Sequence, residues 1–594
     1  MEELRKRFAD TVRNFQPLKV YFVRNRWALL FGVSSLLVTD FLQLFIPLII
    51  KRAIDLLTEG TASSRLLLLH AALITGIALL MVLFRYLWRL LLLGHSRRIE
   101  ESLRNRIYEH LQTLSPAYFI KTKTGDLMAR AINDMNAVRM ATGLGLVALV
   151  DALVLGTTAI GFMLAINVKL TLISLIPAPV IVFFIRILTR RMSNGFESVQ
   201  NTFSDLTERV REAFAGIRVV KAYNREDWLY KRVKEEGGYY VSRNLELAKT
   251  LALFFPMMAL FTNTGLAIVI WLGGRLTILG EITTGDFVAF ISYLNLLTWP
   301  MMAMGWVTNL IQRGSASMRR INRVLDEAPD IRDRPQVVAP LRVTGSIAFN
   351  GLTVRYPGQA DDALKDVTLT IAAGETVAVV GRVGSGKSTL LSTLPRLLDP
   401  RPGTLFLDGR DVLTFPLSSL RRSIGFVTQD VFLFSDTIRN NVLFGLQDVS
   451  DDRLEAILRA ADILGEIRGF DKGWDTVIGE RGVTLSGGQR QRLTIARALL
   501  TDPPVLIMDD ALSMVDTRTE ERILNQTLEL RQGKTNLIVS HRISTIGRAD
   551  RVITLDSGRV VETGSHRALI AQGGVYAALY ERQLIAEELE AGVP

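Results

Sequence analysis

Cysteine is missing from all 594 residues, so disulfides, thiolate metal sites and cysteine nucleophiles are excluded from the outset. The N-terminus, MEELRKRFADTVRNF, has no apolar core leading to a small-residue cleavage site and does not read as a signal peptide. A single basic stripe is also lacking. The formal net charge is +11, but the Lys and Arg residues cluster beside apolar runs, which argues against a nucleic-acid partner. Long apolar runs are confined to the first half and vanish after residue 312. The chain is too long for one core, and its uneven hydropathy divides it into a membrane part and a soluble part.

Six stretches are long enough to cross a hydrocarbon core of about 30 Å. They lie near Trp27–Ile50, Leu66–Leu93, Ala141–Ile166, Leu170–Thr189, Thr250–Gly274 and Phe287–Ile311. The connections 94–140 and 190–249 are long and alternate with short ones. Lys and Arg accumulate in cytoplasmic loops. Here they crowd the segment 1–26 (Arg5, Lys6, Arg7, Arg13, Lys19, Arg24, Arg26) and the two long connections, so both termini are expected in the cytoplasm of a multi-pass inner-membrane protein. Apolar residues at helical spacing, such as Val210, Ala213, Ile217 and Val220, make the long connections cytoplasmic extensions of the membrane helices. At their turning points sit Ala117–Leu127 and Lys221–Leu229, which mix aromatic and charged residues and by themselves read as solvated helix turns.

Ionisable side chains inside spans are costly and mark function or pairing. Asp40, Arg85, Arg89, Asp151 and Arg186 are the visible cases. Arg85 and Arg89 share a helix face at i,i+4 spacing; lining a cavity, reaching toward headgroups, and pairing with Asp40 or Asp151 all stay open. Asn263, Asn295 and Trp299 are open between cargo contact and core packing.

The expected division is an N-terminal cytoplasmic segment 1–26, a membrane domain 27–312, a polar linker 313–342 with Pro329, Pro335 and Pro340, and a soluble domain 343–594. Short β-rich runs such as Val367–Ile371 and Glu375–Val380 alternate with helical patterns there, which predicts an α/β domain. The strand pattern 376–380 runs into Gly381-Arg382-Val383-Gly384-Ser385-Gly386-Lys387-Ser388-Thr389 and then into an apolar helix pattern. A glycine-rich turn between strand and helix lets backbone N–H groups approach phosphate oxygens, and the helix N-terminus favours negative charge. Lys387 is placed to reach the β- and γ-phosphates and Ser388 to ligate Mg²⁺. Downstream, the apolar run 505–508 ends in Asp509 and Asp510; a carboxylate at a buried strand end is costly unless it meets a cation, so Asp509 is the expected Mg²⁺ partner, directly or through water, with an N-cap for the next helix as the alternative. Between them Ser486-Gly487-Gly488-Gln489 opens a helix, on spacing alone a cap or an anion site of moderate specificity.

Together these motifs resemble the ATP-binding cassette (ABC) transporter family, in particular exporters whose halves each carry six membrane helices and one nucleotide-binding domain. The resemblance covers nearly the whole chain. It implies a membrane α-helical bundle of six transmembrane helices with long cytoplasmic extensions, joined to an α/β P-loop ATPase domain, with ATP and Mg²⁺ as ligands. It gives Tyr356 the adenine-stacking role, Gln429 the Mg²⁺-sensing and coupling role, residues 513–516 the D-loop and His541 the switch histidine. It also makes 122–134 and 212–223 the cytoplasmic coupling regions. In this family two ATPase domains pair head to tail, so Ser486, Gly487, Gly488 and Gln489 would complete the partner's ATP site.

One position departs from the pattern. Asp510 stands where the family usually has the glutamate that positions the attacking water, and one methylene fewer draws the carboxylate back by roughly 1.5 Å. Misplacement of about an ångström costs about a hundredfold in rate. The implied molecule is therefore a heterodimer: this chain's own site hydrolyses slowly, and a second half-transporter carries the glutamate. The expected activity is ATP-driven export of an amphipathic drug, lipid or peptide by alternating access amid membrane lipids. A homodimeric drug or lipid exporter and an ATP-gated channel are the alternatives.

Overall fold

The structure is a computed structural model and describes residues 2–335, 337–338, 342–356, 359–479, 485–540, 542 and 546–591; it leaves out the side chains at 1–8, 178, 181–182, 185–186, 254–255, 258, 261, 304 and 586–591. Of the expected site residues His541 lies outside the described residues, as do Pro340 of the linker and the Arg186 side chain.

With no water in the hydrocarbon to satisfy backbone polar groups, an apolar run of this length is stable only as a helix. Six long helical runs follow in the expected order, over 26–58, 64–113, 124–166, 168–215, 226–278 and 284–325. Among the described residues, Arg26–Thr58, Ser64–Thr113, Thr124–Ile166 and Thr284–Leu325 are long and apolar enough to cross a membrane. Their starts are fixed locally. Ser63 caps Ser64–Trp88 by accepting from Leu66 N at 3.3 Å, and Thr283 forms a reciprocal capping box with Asp286. Short π-helical turns at Arg89–Leu93, Arg130–Asp134, Ala141–Gly145 and Val269–Gly273 interrupt the long helices. The polar stretch after Arg313 is helical as far as Leu325, because Met318, Ile321 and Val324 continue a buried apolar stripe at helical spacing.

The chain divides into two units. One comprises Met1–Thr113 and Phe119–Glu327, the other Leu114–Tyr118 and Ala328–Pro594. In the second unit Ser115 Oγ donates to Asp330 at 3.2 Å.

The second unit contains two sheets. The strands are β1 Ile347–Val354, β2 Leu364–Ile371, β3 Thr376–Gly381, β4 Leu405–Leu407, β5 Arg410–Asp411, β6 Ile424–Val427, β7 Val505–Asp509, β8 Thr535–Val539, β9 Arg551–Asp556 and β10 Arg559–Gly564. An antiparallel sheet runs β2-β1-β4-β5, and a larger one runs β10-β9-β3-β8-β7-β6. In the larger sheet β9, β3, β8, β7 and β6 are parallel, and β10 closes one edge antiparallel. The continuous apolar composition of β3 follows from burial on both faces. Val377 and Val379 pack with Leu390 and Leu391, whereas Ala378 and Val380 pack with Leu569 and Tyr576.

Candidate functional site

The parallel register brings several strand ends to one edge. Val379 of β3 lies beside Val539 of β8, Val539 lies beside Asp509 of β7, and Met508 lies beside Val427 of β6. The loop after Gly381, the Asp509–Asp510 pair, Gln429 and the chain after Val539 therefore leave the sheet at its carboxyl edge, where open α/β sheets bind ligands.

The turn after β3 can be made only by glycine at its two tightest points. A Cβ on Gly381 would lie 2.2 Å from Leu555 O, and one on Gly386, at φ +101°, would lie 2.8 Å from Ala363 O. Arg382, Val383 and Gly384 are exposed at the crest. Lys387, at the first turn of helix Lys387–Thr393, is buried, and its Nζ donates to Gly381 O at 2.8 Å and Arg382 O at 3.0 Å. Ser385 Oγ is buried with no hydrogen-bond partner. An ammonium held by loop carbonyls and an orphaned hydroxyl beneath an open crest suit a phosphate chain, which would take over both. Thr389 Oγ1 is hydrogen-bonded to the Tyr356 hydroxyl at 3.1 Å, which ties the half-buried aromatic ring to the same loop.

Asp509 is 5% exposed and hydrogen-bonded by Ser388. Burial pushes its carboxyl up and neighbouring Asp510 adds to that, while the Ser388 bond and Lys387 oppose it. Burial holds the Lys387 ammonium below the usual lysine range, against the pull of Asp509 and Asp510. A hydroxyl and a carboxylate side by side are oxygen donors of the kind Mg²⁺ accepts. Among the described residues no cluster of three or more His, Cys, Asp or Glu could cage a metal, so the set fits an ion whose other ligands are phosphate and water.

Asp510 adopts a left-handed backbone (φ 48°), with its N–H donating to Val539 O at 3.2 Å. Aspartate tolerates that region better than most side chains. It lines a cavity of about 150 Å³ with Ser513, Glu520, Ser540 and Arg542. Gln429 is exposed two residues beyond β6, at the same edge.

The Ser486 to Gln489 motif lies elsewhere, opening helix Gly487–Leu500. Ser486 Oγ accepts from Gln489 N at 3.2 Å, Gln489 Oε1 accepts from Ser486 N at 2.8 Å, and Gln489 Nε2 donates to Glu466 at 2.7 Å. The motif is thus a fully formed N-cap with an exposed serine. A Cβ on Gly487 would meet Met514 Sδ at 2.7 Å, and one on Gly488 would meet Met514 O at 3.0 Å, so the glycines are needed where the loop 513–516 crosses.

One group of expected residues is therefore brought together: Tyr356, the loop 381–389, Gln429, Asp509 and Asp510. Ser486, Gly487, Gly488 and Gln489 form a second surface. Sequence reasoning missed Gln491, Glu520 and Arg542. Gln491 is wholly buried and binds Ser513 and Met514; Glu520, 1% exposed, forms an ion pair with Arg542, which also donates to Val515 O at 2.7 Å. The available signal was a polar residue on the apolar side of its helix pattern. In the helical unit, Trp299 Nε1 donates to Asp151 at 2.6 Å, and Arg85 donates to Gln43 Oε1 at 3.2 Å.

Comparison with known proteins covers both units. Residues 29–301 match the ABC transporter transmembrane region and residues 364–513 the ABC transporter family. The chain is 36% identical over 579 residues to a "probable multidrug resistance ABC transporter ATP-binding/permease protein" of Bacillus subtilis, covering 97% of this chain and 98% of that one. It is 37% identical over 492 residues to an ATP-dependent lipid A-core flippase of Hahella chejuensis, covering 82% and 83%. Among solved structures, a bacterial Atm1-family ABC exporter with ATP bound superposes with a TM-score of 0.76 at 27% identity, covering 95% and 98%.

Proposed function

The chain belongs to the ABC transporter family as an ATP-driven exporter with membrane and ATPase domains fused, and from that premise we propose that it is the slow-hydrolysing half of a heterodimer. The observation carrying this reading is Asp510. Its carboxylate stands at the carboxyl edge beside Asp509, one methylene shorter than the glutamate that the family's chemistry uses, on a left-handed backbone that suits aspartate. Two such chains would make two weak sites, whereas a glutamate-bearing partner would make one fast site, closed by this chain's Ser486, Gly487, Gly488 and Gln489.

In this reading Lys387 exchanges its loop carbonyls for phosphate oxygens, and Tyr356 leaves Thr389 to stack on adenine. Ser388, Asp509 and Gln429 would hold Mg²⁺, which would supply positive charge to neutralise the phosphates. Asp510 positions the attacking water, and His541 keeps the switch role that the family resemblance implies. Domain closure then moves Ala117–Leu127 and Lys221–Leu229, switching the helices from inward-open to outward-open with both termini in the cytoplasm. Tyr223 and Trp228 at the second turn are exposed, which supports a second half covering them. The expected division at 26, 312 and 342 and a cargo of amphipathic drugs, lipids or peptides belong to this proposal.

The test is turnover of the purified chain alone and with its candidate partner. Vigorous activity of the chain alone, abolished by Asp510→Asn, would overturn the heterodimer. The similarity to a lipid A-core flippase favours a homodimeric lipid exporter as the second reading, and that result would select it.

A further inference from the structure

The polar stretch 313–342 reads in sequence as one linker, yet the structure leaves little of it slack. Helix Thr298–Leu325 takes up the first part, and the chain from Asp330 onward is fastened to the ATPase core. Arg396 is the main fastening. It is 0% exposed and stands three residues past helix Lys387–Thr393, with its backbone N–H donating to Thr393 O at 3.1 Å. Its Nη2 donates to Arg332 O of the linker at 3.1 Å, and Asp399 accepts from its Nε at 2.8 Å. Arg421 donates to Pro395 O and Arg396 O, each at 3.1 Å. On either side of Arg332, Asp330 accepts from Ser115 at 3.2 Å, Asp333 accepts from Leu417 N at 2.7 Å, and Val338 N donates to Thr414 O at 3.0 Å. A guanidinium is costly to bury unless its donors are used, so the carbonyl that takes one is firmly held. Only the four residues 326–329, Asp-Glu-Ala-Pro, join the helix end to this strap. Such a segment spans at most about 14 Å, and Pro329 fixes its own φ and restricts Ala328. The joint is short and stiff.

We infer that Arg396 is a positioning residue for the transport stroke: it fastens the linker to the phosphate-loop helix, so that movement of the ATPase core pulls helix Thr298–Leu325 directly through the joint 326–329. This path is separate from the turning points Ala117–Leu127 and Lys221–Leu229, and it acts on the last membrane run, 284–325. The far end of that run is held to the first run, 26–58: Asp55 accepts from Gly285 N at 2.8 Å, and Lys51 pairs with Asp286 at 2.6 Å. A pull at Leu325 therefore loads those contacts. The inference rests on the proposed switching of the membrane helices by domain closure.

The experiment uses the full chain assembled with its other half in lipid nanodiscs. Because this chain has no cysteine, spin labels attach in it only at Thr61→Cys and Glu281→Cys, two exposed positions that flank those contacts. Pulsed dipolar spectroscopy measures the label separation without nucleotide and with a non-hydrolysable ATP analogue. A flexible Gly-Ser insert of about six residues between Glu327 and Ala328, ahead of the strap, should cut the nucleotide-driven change in separation by about half or more, with nucleotide affinity kept within about twofold. The same insert between Pro340 and Leu341, behind the strap, should leave the change intact. Arg396→Gln should reproduce the first insert, and the two together should be no worse than either, since both break one link. If Arg396→Gln melts early, the pair of inserts decides alone. A change in separation that survives the insert ahead of the strap, or one lost equally with the insert behind it, overturns the inference and leaves the switching reading standing. Absence of any nucleotide-driven change in the unmodified protein refutes the switching itself, and the inference falls with it.

Discussion

Gln491 holds Met514 by its backbone: the wholly buried Gln491 Oε1 accepts the Met514 N–H at 2.8 Å, and its Nε2 donates to Ser513 Oγ at 3.0 Å. One side chain thus fixes the loop that follows Asp510 to the helix that Ser486 caps. In the proposed pair of ATP sites, this link would give a change at one a short mechanical route to the other.

Gln491→Leu is therefore expected to leave ATP affinity at the Lys387 loop unchanged while lowering turnover of the assembled pair about tenfold. Two unsatisfied loop groups should also cost about 1–3 kcal/mol of domain stability. Gln491→Glu keeps an acceptor for Met514 N and should recover most of the turnover. Nucleotide binding, steady-state ATPase assays and thermal melting together separate a positioning role from a merely structural one.

At position 510 the proposed asymmetry makes opposite demands on two substitutions. Asp510→Asn should change turnover of the heterodimer less than about twofold, because the fast site belongs to the partner. Asp510→Glu should raise hydrolysis at this chain's own site by about tenfold or more. The same change places a longer side chain on a left-handed backbone (φ 48°), so a loss of about 1 kcal/mol in stability is expected alongside. Single-turnover assays with the partner site disabled would report the first quantity, and melting the second.

Lys387→Ala removes a buried ammonium that, among the described residues, donates to Gly381 O and Arg382 O. Loss of charge-assisted phosphate contacts should weaken ATP binding by about 2 kcal/mol, roughly thirtyfold. Because burial already disfavours that charge, the melting temperature without nucleotide should hardly fall. Titration with a fluorescent ATP analogue and nucleotide-free melting check the two parts.

Asp408 gives a pH-dependent prediction remote from the ATP site. Partial burial pushes its carboxyl up, but bonds from the Thr344 hydroxyl and from the backbone N–H groups of Thr344, Ser346 and Gly345 outweigh this and hold it below the usual carboxylate range. A carboxyl lowered in the folded state contributes stability that is present above its unfolded pKa and lost as pH falls through its folded pKa. Asp408→Asn should cost about 1 kcal/mol at pH 7 after solvent screening. The variant and the unmodified protein should then converge in melting temperature as pH falls through the lowered folded-state pKa of Asp408.

Much of this protein is written in local sequence. The six apolar runs could be read as helices because hydrocarbon leaves the backbone no other partner, and residues 376–389 could be read as strand, turn and helix because an apolar β run, a glycine-rich run and an apolar helix pattern follow one another directly. Ser486 and Gln489 cap one helix from three residues apart, a relationship that needs no distant partner. Other features depend on contacts between residues far apart in the chain. Register between β3, β8 and β7 set Asp509 and Asp510 beside the Lys387 loop, and tertiary packing buried Gln491 against Ser513 and Met514. Packing also committed Arg85 to Gln43, where the sequence had left its partner open. Hydrophobic period and turn chemistry are properties of neighbours along the chain; the pairing of buried polar groups is a property of whichever elements meet, and only the folded bundle and sheet decide that.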